Sequence, residues 1–183
     1  MFELTTKQSF MFKEVCILAW NASVQRANLY NAEVKPENRK SSEFRSKMLA
    51  FIENELLPDY KEEVAEEAHV ANIERLVRHG SQVGKVILGA EGYKFGVAQK
   101  LLNLLLKYLW CLGYFSEPLH CPVDRIVLDK TTLKGKLNWT AITTKEQYQS
   151  AIAAIRAVAS REALSLAEWE LRVYARRQAL TAW

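Results

Sequence analysis

The sequence predicts an all-α, single-domain protein, a multi-helix bundle packed around a central apolar helix at about residues 97–112. Only seven glycines and four prolines occur among 183 residues, whereas a sheet protein needs turn residues about every ten positions. Apolar residues make up 49% of the chain and recur at helical spacing. We therefore expect about seven helices in one domain that spans residues 1–183.

Apolar residues at helical spacing, interrupted at proline and glycine, place the elements in order. The predicted helices cover about 7–30, 41–57, 70–79, 97–112, 124–132, 145–160 and 165–179. Thr5 or Thr6 is expected to cap the first helix. Thr143 and Glu146 have the spacing of a capping box at the sixth helix, and Ser165 is the expected cap of the seventh.

The fourth predicted helix is the most apolar part of the chain. Its leucines recur nearly all round, which is typical of a helix buried in the core. Gly113 follows it at the position where a helix end favours a left-handed residue. The apolar run is too short to span a bilayer, so we expect no membrane insertion. The earlier run 86–88 is too short for periodicity to distinguish a strand from a helical turn.

The cysteines and the first residues of the chain predict a cytoplasmic protein. Cys16, Cys111 and Cys121 are odd in number and fit no CxxC spacing, so disulfides are not expected. The segment 1–6 becomes polar at its third residue, unlike a secretory signal. No cofactor is expected, and His120 with Cys121 would supply only half of a metal site.

The charge of the chain is unevenly distributed between its two halves. Residues 1–90 carry 12 basic and 13 acidic side chains, whereas residues 91–183 carry 13 basic and 8 acidic ones. The first half is therefore slightly acidic and the second half basic. An excess of this kind suits a polyanionic partner, although an ordinary solvated surface would explain it equally well.

Lys100 and Asp124 are the residues most suited to chemistry. Lys100 lies in the first turns of the central helix, where the helix dipole and desolvation both favour a neutral, nucleophilic amine. Asp124 follows Pro122 at the start of the next predicted helix. A carboxylate and an amine that converge in this way can activate a nucleophile, stabilise a cation or form an ion pair.

The residues Gly96, Val97, Lys100 and the turn Pro122–Asp124 form a pattern that resembles the helix-hairpin-helix DNA glycosylases over about residues 92–127. In that family a hairpin binds the DNA backbone through main-chain amides, and a lysine in the next helix attacks C1′ of the sugar. By this resemblance Lys100 is the nucleophile, Asp124 the supporting carboxylate, and Gly92 and Gly96 belong to the hairpin. The resemblance also implies a flipped base between helices.

Further residues around this pair are expected to bind DNA. His120 and Trp139 are the candidates for lining a pocket, and the basic side chains are candidates for phosphate contacts. The predicted nucleic-acid contacts are Gly92, Lys94, Gly96, Arg125, Lys130, Lys134 and Lys136. His69 and His79 are predicted to lie at the surface or its boundary.

Two other interpretations remain open from the sequence. Lys100 and Asp124 can be a structural ion pair that ties two helices together. The whole chain can be a non-catalytic interaction protein or an accessory subunit of a larger bacterial assembly, because its charge bias is weaker than that of a strongly basic DNA-binding protein. Residues 92–142 also resemble a segment of small, uncharacterised bacterial helical proteins.

Overall fold

The protein is all-helical in the part that the structure describes, which is residues 5–174 without the side chain of Asn38. A computed structural model shows seven α-helices in this range and no β-strand, which confirms the predicted fold class. Of the run 86–88, Leu88 forms an isolated antiparallel bridge with Tyr30. The helices are α1 (Thr6–Val24), α2 (Ser41–Phe51), α3 (Glu66–Val83), α4 (Phe95–Cys111), α5 (Arg125–Leu128), α6 (Lys145–Ala159) and α7 (Leu166–Val173).

Helix α1 begins where the sequence predicts and ends earlier. Thr5 and Gln8 form a capping box, in which the Thr5 hydroxyl accepts the Gln8 N–H at 3.3 Å. The predicted end near residue 30 is wrong, because the helix stops at Val24. Arg26 and Asn28 then adopt left-handed backbone with φ of 67° and 45°, a conformation that a right-handed helix does not contain.

Helix α2 is followed by one turn that is wider than an α-helical turn and then by one that is tighter. A π-helical turn at Ile52–Leu56 and a 3₁₀ turn at Leu57–Lys61 follow it directly. Pro58 lies in the first turn of the 3₁₀ segment, where a missing N–H removes no helical hydrogen bond. Helix α3 starts at Glu66, so part of the charged segment 61–67 belongs to this helix rather than preceding it.

Helix α4 crosses the core and contacts α1, α3 and α6. Fourteen of its 17 residues are buried, which agrees with its apolar sequence. It ends in the motif that Gly113 predicts: Gly113 has φ of 74°, and its N–H donates to the Trp110 carbonyl at 2.8 Å. The Tyr114 N–H reaches the Leu109 carbonyl, also at 2.8 Å, which completes a Schellman motif.

The last three helices follow the predicted order with two corrections. Helix α5 has only four residues, so the predicted span 124–132 is too long. The capping box of α6 is formed by Thr144 and Gln147, and the predicted pair Thr143 and Glu146 is wrong by one residue. Ser165 caps α7 as predicted, since its hydroxyl accepts a backbone N–H at 3.0 Å. The predicted continuation of this helix to 179 lies largely outside the described residues.

One hydrophobic core joins all seven helices. Side chains from each helix contribute to a single cluster of buried apolar residues. The cluster includes Trp20 and Trp169, which are 4% and 1% exposed. Crossing a bilayer takes a long, uninterrupted apolar helix, and the described residues contain none. The shared core therefore holds α4 against α1, α3 and α6.

Candidate functional site

The structure brings Lys100 and Asp124 together. Lys100 Nζ lies 3.4 Å from Asp124 Oδ2, and the two side chains are 11% and 10% exposed. Lys100 lies in the second turn of α4, and Asp124 is the residue that caps α5. The predicted convergence of an amine and a carboxylate is therefore present, at the edge of the core rather than on an open surface.

The Asp124 carboxylate has two partners with different roles. Its Oδ1 accepts the Val127 N–H at 3.1 Å and so caps helix α5. Its Oδ2 faces Lys100. Because one oxygen is held by the backbone, the other is presented to the amine in a defined direction.

The Trp139 ring is a second neighbour of the Lys100 amine, beside the Asp124 carboxylate. Lys100 Nζ lies 4.2 Å from the centroid of the Trp139 ring, a distance at which a cation is attracted to the face of an indole. Trp139 begins a short 3₁₀ turn, Trp139–Ala141, that packs against α4. It is 7% exposed, so it is a core residue whose ring also borders the Lys100 amine.

Gly96 lets the Trp139 segment approach α4 this closely. A Cβ atom at Gly96 would collide with the Trp139 carbonyl oxygen, and the Gly96 N–H donates to the Ile142 carbonyl at 2.9 Å. The Gly92 N–H likewise donates to the Gly89 carbonyl at 3.0 Å. Both N–H groups are therefore used within the fold, and the assignment of Gly92 and Gly96 to a DNA-binding hairpin stays a prediction.

The Lys100 amine opens into a cleft of about 260 Å³, which we call the Lys100 cleft. Arg26 and Arg125 extend from its rim into a neighbouring cleft of about 420 Å³. The Lys100 cleft is lined by Ala22, Gln25, Arg26, Lys100, Asp124, Arg125, Ile126, Trp139 and Tyr174. The neighbouring cleft adds Asp129, Gly135, Lys136, Leu137, Asn138 and Thr140.

The predicted basic contacts divide into three groups. Arg125 and Lys136 line the clefts beside Lys100. Lys130 and Lys134 are exposed but line neither of these two clefts. Lys94 is half-buried and forms an ion pair with Glu91. A basic surface around Lys100 is present, and it is smaller than the sequence predicts.

Sequence reasoning missed Arg26, which lines both clefts. After Arg26, the next residue along the chain that lines either cleft is Lys100, more than 70 positions later. Arg26 enters the site because α1, which ends just before it, packs along α4. Within residues 5–174, neither Arg26 nor Arg125 forms a salt bridge. Arg26 and Arg125 therefore line the cleft beside Lys100 without a described salt-bridge partner, and the carboxylates that share the two clefts with them are those of Asp124 and Asp129.

A second lysine–carboxylate pair lies further along α4 and was also missed. Lys107 Nζ is 2.9 Å and 3.0 Å from the two carboxylate oxygens of Glu170 on α7, and the side chains are 5% and 1% exposed. Burial raises the pKa of Glu170, and the charge of Lys107 opposes that shift. Lys107 Nζ also lies 4.8 Å from the centroid of the Tyr174 ring, and Tyr174 borders the Lys100 cleft.

His120 lines neither the Lys100 cleft nor its neighbour, whereas Trp139, the other predicted pocket residue, lines both. It is completely buried, with Nδ1 2.8 Å from the Tyr148 hydroxyl and Nε2 3.1 Å from Glu66 Oε1. Glu66 also receives a hydrogen bond from Arg156 at 3.0 Å. This network ties the segment before Asp124 to α3 and α6. Among the described residues, no group of three potential metal ligands forms.

His69 is a core residue, and the prediction that it lies near the surface is wrong. Its side chain is 1% exposed, and its Nδ1 lies 2.8 Å from the Tyr60 hydroxyl. Burial lowers the pKa of His69 to about 3, with a further contribution from the charge of His120. His79 lies at the boundary as predicted.

We expect the stability of the protein to fall as the pH drops below about 6.5. The folded pKa of His69 lies below the unfolded value, so between these values only the unfolded chain binds the proton. The contribution of His69 is thus complete above pH 6.5 and declines by about 1.4 kcal/mol per pH unit as the pH falls toward 3. Urea unfolding from pH 7 to 5 measures this slope.

The variant His69→Asn provides the comparison for this prediction. An asparagine amide can occupy the position of Nδ1 near Tyr60, and it does not titrate in this range. We expect its free energy of unfolding to be lower at pH 7 and to depend less steeply on pH. An unchanged slope in His69→Asn would assign the acid sensitivity to other groups, of which His120 is the first to test, since burial lowers its pKa as well.

Comparison with protein-family models, curated proteins and solved structures gave no significant match to this chain. The interpretation of the site therefore depends on its own residues. They comprise a buried amine beside a carboxylate, an indole that borders the amine, and two arginines at the rim of the cleft. This set can hold an anionic ligand next to a nucleophile.

Proposed function

We propose that the protein binds DNA and acts on an abasic or damaged nucleotide with Lys100 as an amine nucleophile, in the manner of a glycosylase or abasic-site lyase. The observation that supports this most directly is the 3.4 Å separation of Lys100 Nζ and Asp124 Oδ2 at a cleft lined by Arg26 and Arg125. An abasic sugar has a carbonyl group and is flanked by phosphates. An amine beside a carboxylate suits the carbonyl, and neighbouring arginines suit the phosphates.

The chemistry at an abasic site would proceed through an imine. Asp124 accepts a proton from the Lys100 ammonium, and the neutral amine adds to C1′ of the ring-opened sugar aldehyde. Asp124 returns this proton to the carbinolamine hydroxyl, which leaves as water, and a protonated imine forms. That cation acidifies C2′, and the Asp124 carboxylate accepts the C2′ proton. The electrons of the C2′–H bond form a C2′–C3′ double bond, and the 3′ phosphate leaves with the electron pair of the C3′–O bond. Hydrolysis of the imine returns the free amine, and no cofactor enters the reaction.

The arginines would provide the electrostatic part of binding. Phosphate contacts from lysine and arginine supply most of the affinity of a DNA-binding protein and place the substrate in register. Arg26, Arg125 and Lys136 line the two joined clefts. The volume of about 260 Å³ next to Lys100 suits a sugar or small base better than an extended duplex.

Borohydride trapping tests this proposal. The wild-type protein is incubated with a duplex that carries one abasic site, and borohydride reduces any imine to a stable amine adduct. We expect an adduct with the wild type and with Lys94→Ala, whose lysine lies next to α4 and pairs with Glu91. Lys100→Ala should give none. A wild type that forms no adduct and does not retard DNA at low salt would overturn the proposal.

A non-catalytic interaction protein is the second candidate, and one observation favours it. The outward face of α1 exposes four large apolar side chains in the described part of the chain. Their exposed fractions are 61% for Phe10, 38% for Met11, 39% for Ile17 and 50% for Leu18. Exposed apolar residues on one helix face are typical of protein–protein contacts. Sedimentation velocity of the wild type and Phe10→Lys tests for a self-associating surface.

Replacing Arg26 by glycine is expected to stabilise the protein and weaken its binding to DNA. A non-glycine residue in left-handed backbone costs about 1 kcal/mol, and Arg26 has φ of 67°. Loss of one phosphate contact should lower affinity about tenfold at low salt. It should also reduce the slope of log affinity against log salt concentration by about one. Thermal unfolding and retardation at several salt concentrations measure the two effects.

Asn28→Gly is the matched control for this prediction. Asn28 also has a positive φ, of 45°, and it is exposed but lines neither the Lys100 cleft nor its neighbour. We expect a smaller gain in stability, because asparagine tolerates left-handed backbone better than arginine does, and an unchanged DNA affinity. Equal losses of affinity in the two variants would show that the loop conformation matters and that the guanidinium does not.

A further inference from the structure

The side chain of Gln99 holds both main-chain polar groups of Val123. Gln99 Nε2 donates to the Val123 carbonyl at 2.8 Å, and Gln99 Oε1 accepts the Val123 N–H at 3.1 Å. Both residues are fully buried, with no exposed area. A single amide side chain thus pairs with the N–H and the C=O of one residue, as a neighbouring β-strand would, in the interior of a helical protein.

The orientation of the Gln99 amide is itself fixed. Its Nε2 also donates to the Gly96 carbonyl at 2.9 Å, and its Oε1 also accepts from Asn103 Nδ2 at 3.2 Å. Asn103 Nδ2 lies 3.0 Å from the Tyr148 hydroxyl, which in turn contacts His120. Because each polar atom of the amide has two partners, the side chain cannot rotate without breaking buried hydrogen bonds.

This contact matters because Val123 immediately precedes Asp124. Residues 114–124 contain no helix, so regular structure does not determine where Asp124 lies. The segment is held at two points by side chains, at His120 through Glu66 and Tyr148 and at Val123 through Gln99. The second point is one residue from the carboxylate that faces Lys100.

We propose that Gln99 is the positioning residue that sets the Asp124 carboxylate against the Lys100 amine. This inference rests on the proposed function, since it assigns Gln99 a part in that reaction. Gln99 lines neither the Lys100 cleft nor its neighbour, so it acts through Asp124 and not on the substrate. It lies on the same helix as Lys100, one residue before it, which couples the positions of the two reacting groups.

A double-mutant cycle tests the proposal with the full-length protein. The variants are Gln99→Met, Asp124→Asn and both together, and the readout is the single-turnover rate of adduct formation with an abasic duplex. We expect Gln99→Met to lower this rate about a hundredfold, the usual cost of displacing a reacting group by about 1 Å. In the Asp124→Asn background the same change should have little further effect.

Tyr148→Phe is the control for a merely structural role. It removes a buried hydroxyl from the same network and leaves the bonds between Gln99 and Val123 intact. We expect it to lower the melting temperature and to slow the reaction far less than Gln99→Met does, because Val123 keeps both of its hydrogen bonds to Gln99. Equal rate losses in Gln99→Met and Tyr148→Phe, or rate losses that multiply in the double variant, would overturn the proposal. If Gln99→Met does not fold, Gln99→Glu takes its place in the cycle, because it keeps the acceptor for Val123.

Amide hydrogen exchange separates this proposal from the proposed function. The Val127 N–H is bonded to Asp124 Oδ1, so it reports the position of the carboxylate without any substrate. In Gln99→Met we expect faster exchange at Val123 and Val127 and unchanged exchange in α4. If the wild type neither forms an adduct nor retards DNA at low salt, the proposed function fails, while exchange still decides whether Gln99 positions Asp124. Unchanged protection at Val127 would overturn the positioning role.

Discussion

Replacing Glu170 by leucine is expected to lower the free energy of unfolding by about 3–5 kcal/mol. The change leaves the Lys107 ammonium buried, at 5% exposure, without the carboxylate that now receives two of its hydrogen bonds. An unpaired charge in the core has no compensation for its lost hydration. Urea unfolding followed by circular dichroism measures the loss, and Glu168→Leu on the exposed side of α7 should change stability by less than about 0.5 kcal/mol.

The double variant Lys107→Met with Glu170→Leu decides why the single variant is unstable. If the cost comes from the orphaned ammonium, removing both charges should recover most of it, because apolar residues of similar volume often replace a buried ion pair without loss. A double variant as unstable as Glu170→Leu would show that packing around α7 is responsible. The cycle also yields the coupling energy of the pair.

The helices and the Lys100–Asp124 pair were predictable because their signals are local. The leucines of α4 repeat around the whole helix, and Gly113 marks its end. Lys100 and Asp124 lie at the starts of two successive helices. The two side chains therefore meet if the segment that connects the helices runs back along α4 to its start. The capping box of α6 shows the limit of such reasoning, since two adjacent threonines offer the same chemistry and backbone geometry selects the second.

The rest of the site depends on contacts between distant segments. His120 reaches Glu66 across 54 positions, and Lys107 reaches Glu170 across 63. Nothing in the local sequence distinguishes His120, Glu66 or Glu170 from solvated side chains, whereas Lys107 lies within the apolar helix α4. Burial of Gln99 and Asn103 in a leucine-rich helix was the available signal, because polar residues within a buried helix need internal partners. That signal indicates a network but not its partners.

Replacing Gly96 by alanine is expected to destabilise the protein by about 3 kcal/mol, although alanine is the better helix former by about 1 kcal/mol. The new Cβ would meet the Trp139 carbonyl oxygen, and it would also lie 3.3 Å from Ile142 Cβ. The first obstacle is backbone, so no rotamer change relieves it. The Trp139 segment must move away from α4, which stretches the bond from the Gly96 N–H to the Ile142 carbonyl.

Gly89→Ala is the matched control, because the nearest atom to its Cβ is the Leu29 carbonyl oxygen at 3.9 Å, an ordinary contact. Thermal unfolding of the two variants should therefore differ by many degrees. The same displacement would carry the indole away from Lys100 Nζ, so Gly96→Ala should also slow adduct formation at temperatures where it is folded. A Gly96→Ala protein as stable as the wild type would contradict the close packing of residues 139–142 on α4. Because that packing holds the indole over the amine, the same result would remove Trp139 from the site and leave the carboxylate as the defined neighbour of Lys100.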